Sequence, residues 1–490
     1  MNREWLGEWQ RLSPWAMLSL LLMQAAEQGR QHLPLLLGAG AGLTLLDAVG
    51  WRELLLAGAA GLFLALLLAW RYYLRFRFRI EEDVLVVHQG LFEHREFKLA
   101  ARHVQQIAIR QPLHMRPFGV VEWQVVPMAG DAARIILPGI RQSTADALSA
   151  RLAPAMPAPD TVQPPHYAVT VKGLLLHGLS SRSVIVAAAM LSPLVRPLER
   201  WLHDAAPSLA LGDWLPNAPL LLAALGTLAL FTLLMLLSII ATVWRYFGFR
   251  LVDDGGRQIQ TRGLLQRQRQ SLTLERLQVV EWVETGLGRL LGCGYLICHQ
   301  FGGAVDEDRR FVVPGIIDGK QRELLPAFWP GVTWPAEWLA VSRYYQRVLL
   351  LRGGLLAVLL LAGGGALLGD ALTAWQWLLL GGVLMALVVL GAHRRWRCQG
   401  WAHSGGYLWV RHGLLGRRTH VFALHKGISV DVRQSWLQRR RGLATLHLHL
   451  AHGRVALPFI EHATALLLAD ELLAACGPSS VVEIPGQVTP

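Results

Sequence analysis

Residues 71–119 read RYYLRFRFRIEEDVLVVHQGLFEHREFKLAARHVQQIAIRQPLHMRPFG, and how this stretch is read decides the fold. Short runs rich in Val, Ile and aromatics (FRFRI, DVLVVHQG, HVQQIAIRQ) are separated by turn-forming residues such as Glu-Glu-Asp, which is the pattern of strand following strand. The stretch recurs at 244–292 as WRYFGFRLVDDGGRQIQTRGLLQRQRQSLTLERLQVVEWVETGLGRLLG, and at 394–442 as RRWRCQGWAHSGGYLWVRHGLLGRRTHVFALHKGISVDVRQSWLQRRRG. The first two copies register without a gap at an offset of 173: Gly90 with Gly263, Gln105 with Gln278, Arg116 with Arg289, Gly119 with Gly292. The third follows at 150, pairing Gly263 with Gly413, Leu274 with Leu424, Arg289 with Arg439 and Gly292 with Gly442. One offset held across so many residue types marks an internal repeat.

Beyond this window each copy closes on a Pro-x-Ile step, at Pro138/Ile140, Pro314/Ile316 and Pro458/Ile460. A helical stretch follows, clearest at 141–156, where Ser143 is a candidate N-cap, and at 462–475. Gly90, Gly263 and Gly413 lie between two strands, where a positive φ or a bulge is expected; Gly119, Gly292 and Gly442 end an Arg-x-x-Gly step read as a tight crossing. Six or seven short strands and one terminal helix outline a small β-barrel or sandwich closed by a helix.

Working outward, each copy is preceded by apolar chain. The protein has 490 residues, 53% hydrophobic and only 17% charged, with a mean hydropathy of +0.35, which places it in the membrane class. A spanning helix needs about 20 apolar residues. Five stretches fit, 32–48, 54–70, 219–244, 348–368 and 373–392, and a shorter sixth at 183–195 completes three pairs. The net charge of +13 collects after the pairs, as in Arg71, Arg75, Arg77 and Arg79, whereas the loops within pairs balance Arg52, Arg196 and Arg200 against Glu53, Glu199, Asp204, Asp213 and Asp370. By the positive-inside rule the modules and both termini are expected in the cytoplasm. The N-terminal MNREWLGEWQRLSPW lacks a cleaved-signal pattern and is expected to be retained. Gly38-x-x-x-Gly42 and Gly365-x-x-x-Gly369 have close-packing spacing. GAGAG at 38–42 reads better as helix packing than as a nucleotide loop, because no alternating strand precedes it. Asp47 and Asp370 sit at outer helix ends with no intramembrane partner. Many of the 19 tryptophans, among them Trp5, Trp9, Trp15, Trp51, Trp70, Trp201, Trp214, Trp244, Trp375 and Trp377, fall where an interfacial belt belongs.

Motifs that carry chemistry are missing. The four cysteines (Cys293, Cys298, Cys398, Cys476) have no paired spacing, and His447, His449 and His452, with His420 and His425 nearby, lack a carboxylate or thiolate companion, so neither a metal nor another cofactor is expected. No Gly-x-Ser-x-Gly, HExxH or P-loop occurs, and the chain is not read as an enzyme. The basic charge follows topology without an interleaved aromatic platform, which argues against nucleic acid. Arg75, Arg77 and Arg79, Arg262, Arg267 and Arg269, and Arg417 and Arg418 are candidate contacts to anionic lipid headgroups, against the alternative of a solvated, orienting charge. Arg411 and the run Arg439-Arg440-Arg441 share this reading.

The G-L-[FL], V-Q-x-[IV], R-x-x-G-[VL] and P-x-I signatures after a helix pair resemble the bacterial pleckstrin-homology-like (bPH2) membrane proteins of the YdbT type, with three tandem domains. The resemblance covers nearly the whole chain. It implies two antiparallel sheets and a C-terminal helix per module, hence an α+β membrane protein with six transmembrane helices in three pairs, each followed by a cytoplasmic PH-like module. The expected organisation is 1–70, N-terminal segment and first helix pair; 71–155, first module; 156–243, Pro-rich linker and second pair; 244–335, second module; 336–392, third pair; 393–477, third module; 478–490, disordered tail. The third copy departs most, with Gly427-Ile428 where the others have Val104-Gln105 and Leu277-Gln278. The function expected is a multi-pass scaffold of the cytoplasmic (inner) membrane, with membrane lipids and a protein partner or self-association through the modules, in company with a sister PH-like protein in envelope stress resistance. An anionic-lipid sensor is the alternative, and a small-solute or lipid transporter ranks last.

Overall fold

The computed structural model describes residues 7–17, 51–90, 95–127, 134–152, 164–180, 218–300, 310–317, 319–368, 373–426, 429–450 and 453–476. The spans expected at 32–48 and 183–195, the pair Gly427-Ile428 and the tail at 478–490 lie outside these residues.

Three of the apolar stretches form helices, Ala218–Tyr246, Arg343–Leu368 and Ala374–Cys398, each long and apolar enough to cross a membrane. The stretch 54–70 lies within a fourth long helix, Trp51–Arg75. A shorter helix, Val171–Ser180, begins at Thr170, whose Oγ1 accepts the Gly173 N–H at 3.1 Å. It packs on Ala218–Tyr246 where Ser238 Oγ donates to the Gly178 carbonyl at 3.1 Å. A Cβ on Gly178 would lie 2.8 Å from Ile239 Cα, so this crossing requires glycine. In the pair Arg343–Leu368 and Ala374–Cys398 the contact glycines are Gly353, whose added Cβ would lie 2.7 Å from Val388, and Gly364, against Trp377. Gly365, singled out by its spacing, has nothing within 4 Å.

The first repeat supplies β1 (Gln10–Arg11), β2 (Arg77–Glu81), β3 (Val84–Gln89), β4 (Arg95–Ala100), β5 (Val104–Gln111), β6 (Val120–Pro127) and β7 (Ile135–Arg141). The second supplies β8 (Tyr167–Ala168), β9 (Arg250–Asp253), β10 (Arg257–Arg262), β11 (Arg267–Thr273), β12 (Leu277–Glu284), β13 (Cys293–Gln300) and β14 (Phe311–Ile317). The third supplies β15 (Leu339–Ala340), β16 (Gly400–Ser404), β17 (Tyr407–His412), β18 (Arg417–Ala423), β19 (Ser429–Arg433), β20 (Leu443–Leu450) and β21 (Gly453–Glu461). The helices Gln142–Leu152, Lys320–Leu324 and His462–Cys476 close the copies. The first begins at Gln142, so Ser143 lies inside its first turn instead of capping it.

Equivalent positions behave equivalently. The hairpin turns Glu82-Asp83, Gly255-Gly256 and Gly405-Gly406 all have positive φ at both residues, the geometry of the type I′ turns that match strand twist. Ala101, Leu274 and Leu424 each donate their N–H to the carbonyl of the second turn residue, at 2.9, 3.0 and 3.0 Å. The Val-Gln signature is a β-bulge, since the register shifts across Gln105 and across Gln278. Pro-x-Ile is a second bulge, with positive φ at Gly139, Gly315 and Phe459.

Two features were not legible in the repeat. Helical chain is inserted between neighbouring strands: β1 pairs antiparallel with β2 across the insertion that holds Trp51–Arg75, β8 with β9 across the one that holds Ala218–Tyr246, and β15 with β16 across the one that holds Arg343–Leu368 and Ala374–Cys398. The first module therefore starts before its helices instead of at residue 71, and Leu12 and Ala16 sit in its core with Phe76, Phe78, Leu85, Val121, Trp123 and Leu148. Trp9 and Trp15 pack on this module, Trp9 against His88 at 4.3 Å and Trp15 stacked on Phe118 at 3.6 Å, so they are not free members of a belt. The second feature is that, among the described residues, sheets cross repeat boundaries. Among the described residues the order is β1-β2-β3-β4, then β7-β6-β5-β11-β10-β9-β8, then β14-β13-β12-β18-β17-β16-β15, then β19-β20-β21. Two compact units result, Met1–Glu275 with Gly303–Arg309, and Arg276–Gly302 with Arg310–Pro490, and the cut falls inside the second repeat.

Candidate functional site

Two surfaces combine charge with position: the turns at the helix exits and the seams where a strand of one repeat joins a strand of another.

At the exit of Ala218–Tyr246 the Gly-Leu-Leu turn is tied to the helix end. Gly263 donates its N–H to the Phe247 carbonyl at 2.9 Å and Leu264 donates to Trp244 at 3.0 Å, satisfying carbonyls that the last helical turn leaves open. Gly263 has φ 108°, and a Cβ there would stand 1.9 Å from the Gln266 carbonyl oxygen. Gly90 shares the positive φ, whereas Gly413 is not among the positive-φ glycines. At Gly413 it is the close approach of the Gly416 carbonyl oxygen, 2.1 Å from an added Cβ, that demands glycine. Leu264, Leu265, Leu414 and Leu415 of these turns are exposed, as are Trp244 and Phe247. Apolar side chains held outward beside a helix long and apolar enough to cross a membrane form a surface suited to the membrane interface.

The eight candidate arginines separate by environment. Arg77 and Arg267 are exposed. Arg75 lies in the last turn of its helix, so only Arg77 and Arg79 share a strand face. Arg79 pairs with Glu81 at 3.0 Å and lies over Trp9. Arg262 is buried beneath Tyr246, with its Nε donating to Gln268. Arg269 is half-buried; desolvation lowers its pKa, and Asp146 and Asp254 partly oppose this. Arg417 and Arg418 face the seam.

That seam, β12 on β18, holds a charge network. Arg417 makes a bidentate pair with Glu284 at 2.6 and 3.2 Å, and Arg418 reaches Glu281 at 3.0 Å. Glu281 is 3% exposed and also hydrogen-bonds His299 at 3.2 Å. Burial pushes its carboxyl up, but the His299 hydrogen bond and the charges of His420, Arg418 and His299 outweigh this and hold it down at about 2. His420 stacks on His412 at 5.0 Å, and desolvation lowers the His412 pKa. His420 thus belongs to the seam, while His447 shares the face of β20 with His449. Among the described residues no group of three His, Cys, Asp or Glu is placed to hold a metal ion. Cys293, Cys298 and Cys398 are buried free thiols, and burial raises the Cys298 pKa.

The second seam, β5 on β11, is built from polar and aliphatic pairs, with Gln268 opposite Arg110 and Arg269 opposite Ile109. Arg116, the arginine of the repeated Arg-x-x-Gly step, donates to the Leu264 carbonyl and so links the first repeat to the Gly-Leu-Leu turn of the second. The sequence marked the arginines and glycines but not Glu281 or Glu284, because single acidic residues within apolar strands have no signature of their own.

Comparison with known proteins agrees with this architecture. The chain is 20% identical over 411 residues to the UPF0699 transmembrane protein YdbT of Bacillus subtilis (strain 168), covering 78% of this chain and 80% of that protein. No solved structure matches it. The model of the bacterial PH domain matches three times, at 34–156, 213–318 and 352–475, and the chain therefore belongs to the bacterial PH domain family, as a membrane-associated member with three tandem domains.

Proposed function

We propose that this chain is a non-enzymatic, multi-pass scaffold of the cytoplasmic membrane, with six transmembrane helices in three pairs and all three PH-like modules on the cytoplasmic side. The pairing of β1 with β2, β8 with β9 and β15 with β16 carries this reading. Neighbouring strands lie about 4.8 Å apart, so the chain leaves and re-enters each module at one place. An even number of crossings must intervene. The arginines that follow each pair orient the modules inward.

Single cysteines at Ser208 and Ser143, in a chain without its native four, test this with an impermeant thiol reagent on intact cells. On this reading Ser208 falls between the two expected spans of the second pair, and Ser143 is exposed on the first module. Labelling at 208 and protection at 143 is the expected result, and the reverse pattern would invert the topology.

A second reading, contact with anionic lipid, is favoured by the exposed Arg77 and Arg267 and by the exposed leucines of the Gly-Leu-Leu turns. Each basic residue near an anionic surface contributes on the order of 1 kcal/mol, attenuated by salt. Arg77→Gln with Arg267→Gln should weaken recovery of anionic lipid with the purified protein, whereas Arg417→Gln should not. Equal recovery from all three would remove this reading.

A further inference from the structure

The two seams are one junction made twice. In the first, Arg267, Gln268, Arg269 and Gln270 stand opposite Gln111, Arg110, Ile109 and Ala108. In the second, Arg417, Arg418, Thr419, His420 and Val421 stand opposite Glu284, Val283, Trp282, Glu281 and Val280. Shifting β11 by the repeat offset of 150 and β5 by 173 carries the first set of pairs onto the second, residue for residue. Each junction joins the third long strand of one repeat to the fourth long strand of the repeat before it.

At the two ends of the chain this junction is half made. Among the described residues, β4, the third long strand of the first repeat, forms the edge of its sheet, and β19, the fourth long strand of the third repeat, is likewise an edge. Burial follows the pairing. Val280, Val283 and Val421 are at most 1% exposed inside the second seam, whereas Val430 and Val432 of β19 are only partly buried and Arg95, Glu96 and Lys98 of β4 are exposed. An open edge is a template for another strand.

We propose that β19 of one chain pairs antiparallel with β4 of a second copy, in the register of the two internal seams. Val430 then stands opposite Lys98, Asp431 opposite Phe97, Val432 opposite Glu96 and Arg433 opposite Arg95. In the second seam the Arg418 guanidinium reaches diagonally to Glu281. Arg95 and Asp431 occupy those two positions in the repeat, so the same charge pair forms across the new junction. A charged residue opposite an aliphatic one, as Glu96 would be opposite Val432, has its precedent in Arg269 opposite Ile109. The contact is heterologous and continues as a row or closes as a ring. It deepens the scaffold reading, on which it rests for the shared membrane that confines both copies and raises their effective concentration.

Two differently tagged full-length chains, one carrying Val432→Cys and the other Glu96→Cys, are co-expressed and oxidised in membranes. Directly opposed Cβ atoms lie about 5 Å apart, close enough for a disulfide after small adjustment. A reducible mixed dimer is expected only when both variants are present, and not when Arg95→Cys replaces Glu96→Cys, because successive residues face opposite ways. Asp431→Arg should lower the cross-linked fraction several-fold, and Arg95→Asp in the other chain should restore it. The experiment is run both without native cysteines and with them retained, since Cys293, Cys298 and Cys398 are buried. Absence of a mixed dimer in both backgrounds overturns the proposal, as does a cross-link confined to one chain carrying both cysteines. Capture of Val432→Cys by a different protein also overturns self-pairing while leaving the scaffold intact. Failure of the scaffold itself would instead show in the labelling of positions 208 and 143.

Discussion

At the scale of single residues, the glycines that end the Arg-x-x-Gly step are the firmest link from sequence to backbone. Gly119, Gly292 and Gly442 have φ of 61°, 63° and 64°, in three copies of dissimilar sequence. A Cβ at Gly119 or Gly442 would meet nothing within 4 Å, so the requirement is conformational and not steric. Left-handed backbone costs an ordinary residue about 1–2 kcal/mol. Gly119→Ala and Gly442→Ala should each destabilise the protein by about that amount in thermal unfolding in detergent, and unchanged melting would mean that the turn relaxes freely. Glu281 supplies the pH-dependent term. Its carboxyl is held at about 2 against an ordinary 4.5, so its stabilisation is complete above 4.5 and is lost as pH falls toward 2. Glu281→Gln should cost about 3 kcal/mol at neutral pH, the order expected when one partner of a buried charge network is removed. Its melting temperature should also decline less steeply than that of the parent protein between pH 5 and pH 3. Parallel declines would place the acid sensitivity elsewhere.

At the scale of elements, the helix pairs show how far spacing can be trusted. Apolar length located the four long helices among the described residues, because about 20 apolar residues have few other stable environments. Small-residue spacing did not locate the contact in the third pair, where Gly353 meets Val388 while Gly365 faces open space. Every glycine in a glycine-rich helix satisfies some spacing rule, and only the partner helix selects among them. Gly353→Leu is therefore expected to destabilise the pair by about 1–3 kcal/mol through overpacking, with Gly365→Leu close to neutral, as read by heat-induced aggregation of the detergent-solubilised protein. Equal sensitivity at the two positions would contradict the packing described.

At the scale of the whole molecule, repeat and folding unit do not coincide. A fragment cut at the repeat boundaries, 244–335, loses β5 from the edge of β11 and β18 from the edge of β12. It also loses Arg417 and Arg418, the arginines that pair with Glu284 and Glu281. Expressed alone it should associate or precipitate, since two open edges are exposed together, Glu284 loses its arginine and Glu281 keeps only His299. A monomer with one cooperative melt on size-exclusion chromatography and calorimetry would show that the seams are dispensable.

The amino-acid sequence alone was enough for the threefold repeat, its offsets, the glycines its turns require, the described apolar helices and the succession of short strands closed by a helix in each module, while the PH-like class came from family resemblance. The features other than that class follow from local periodicity, backbone sterics or transfer from water, which a single segment carries within itself. Only the tertiary structure decided that helices are inserted between paired strands, that Leu12 and Ala16 belong to the first core, and that sheets run across repeat boundaries. Strand pairing joins residues distant in sequence through backbone groups that every residue possesses. No side-chain pattern in β5 or β12 announces which edge will take β11 or β18. The charges that stabilise such an edge, Glu281 with Arg418 and Glu284 with Arg417, become recognisable as partners only once the strands lie side by side.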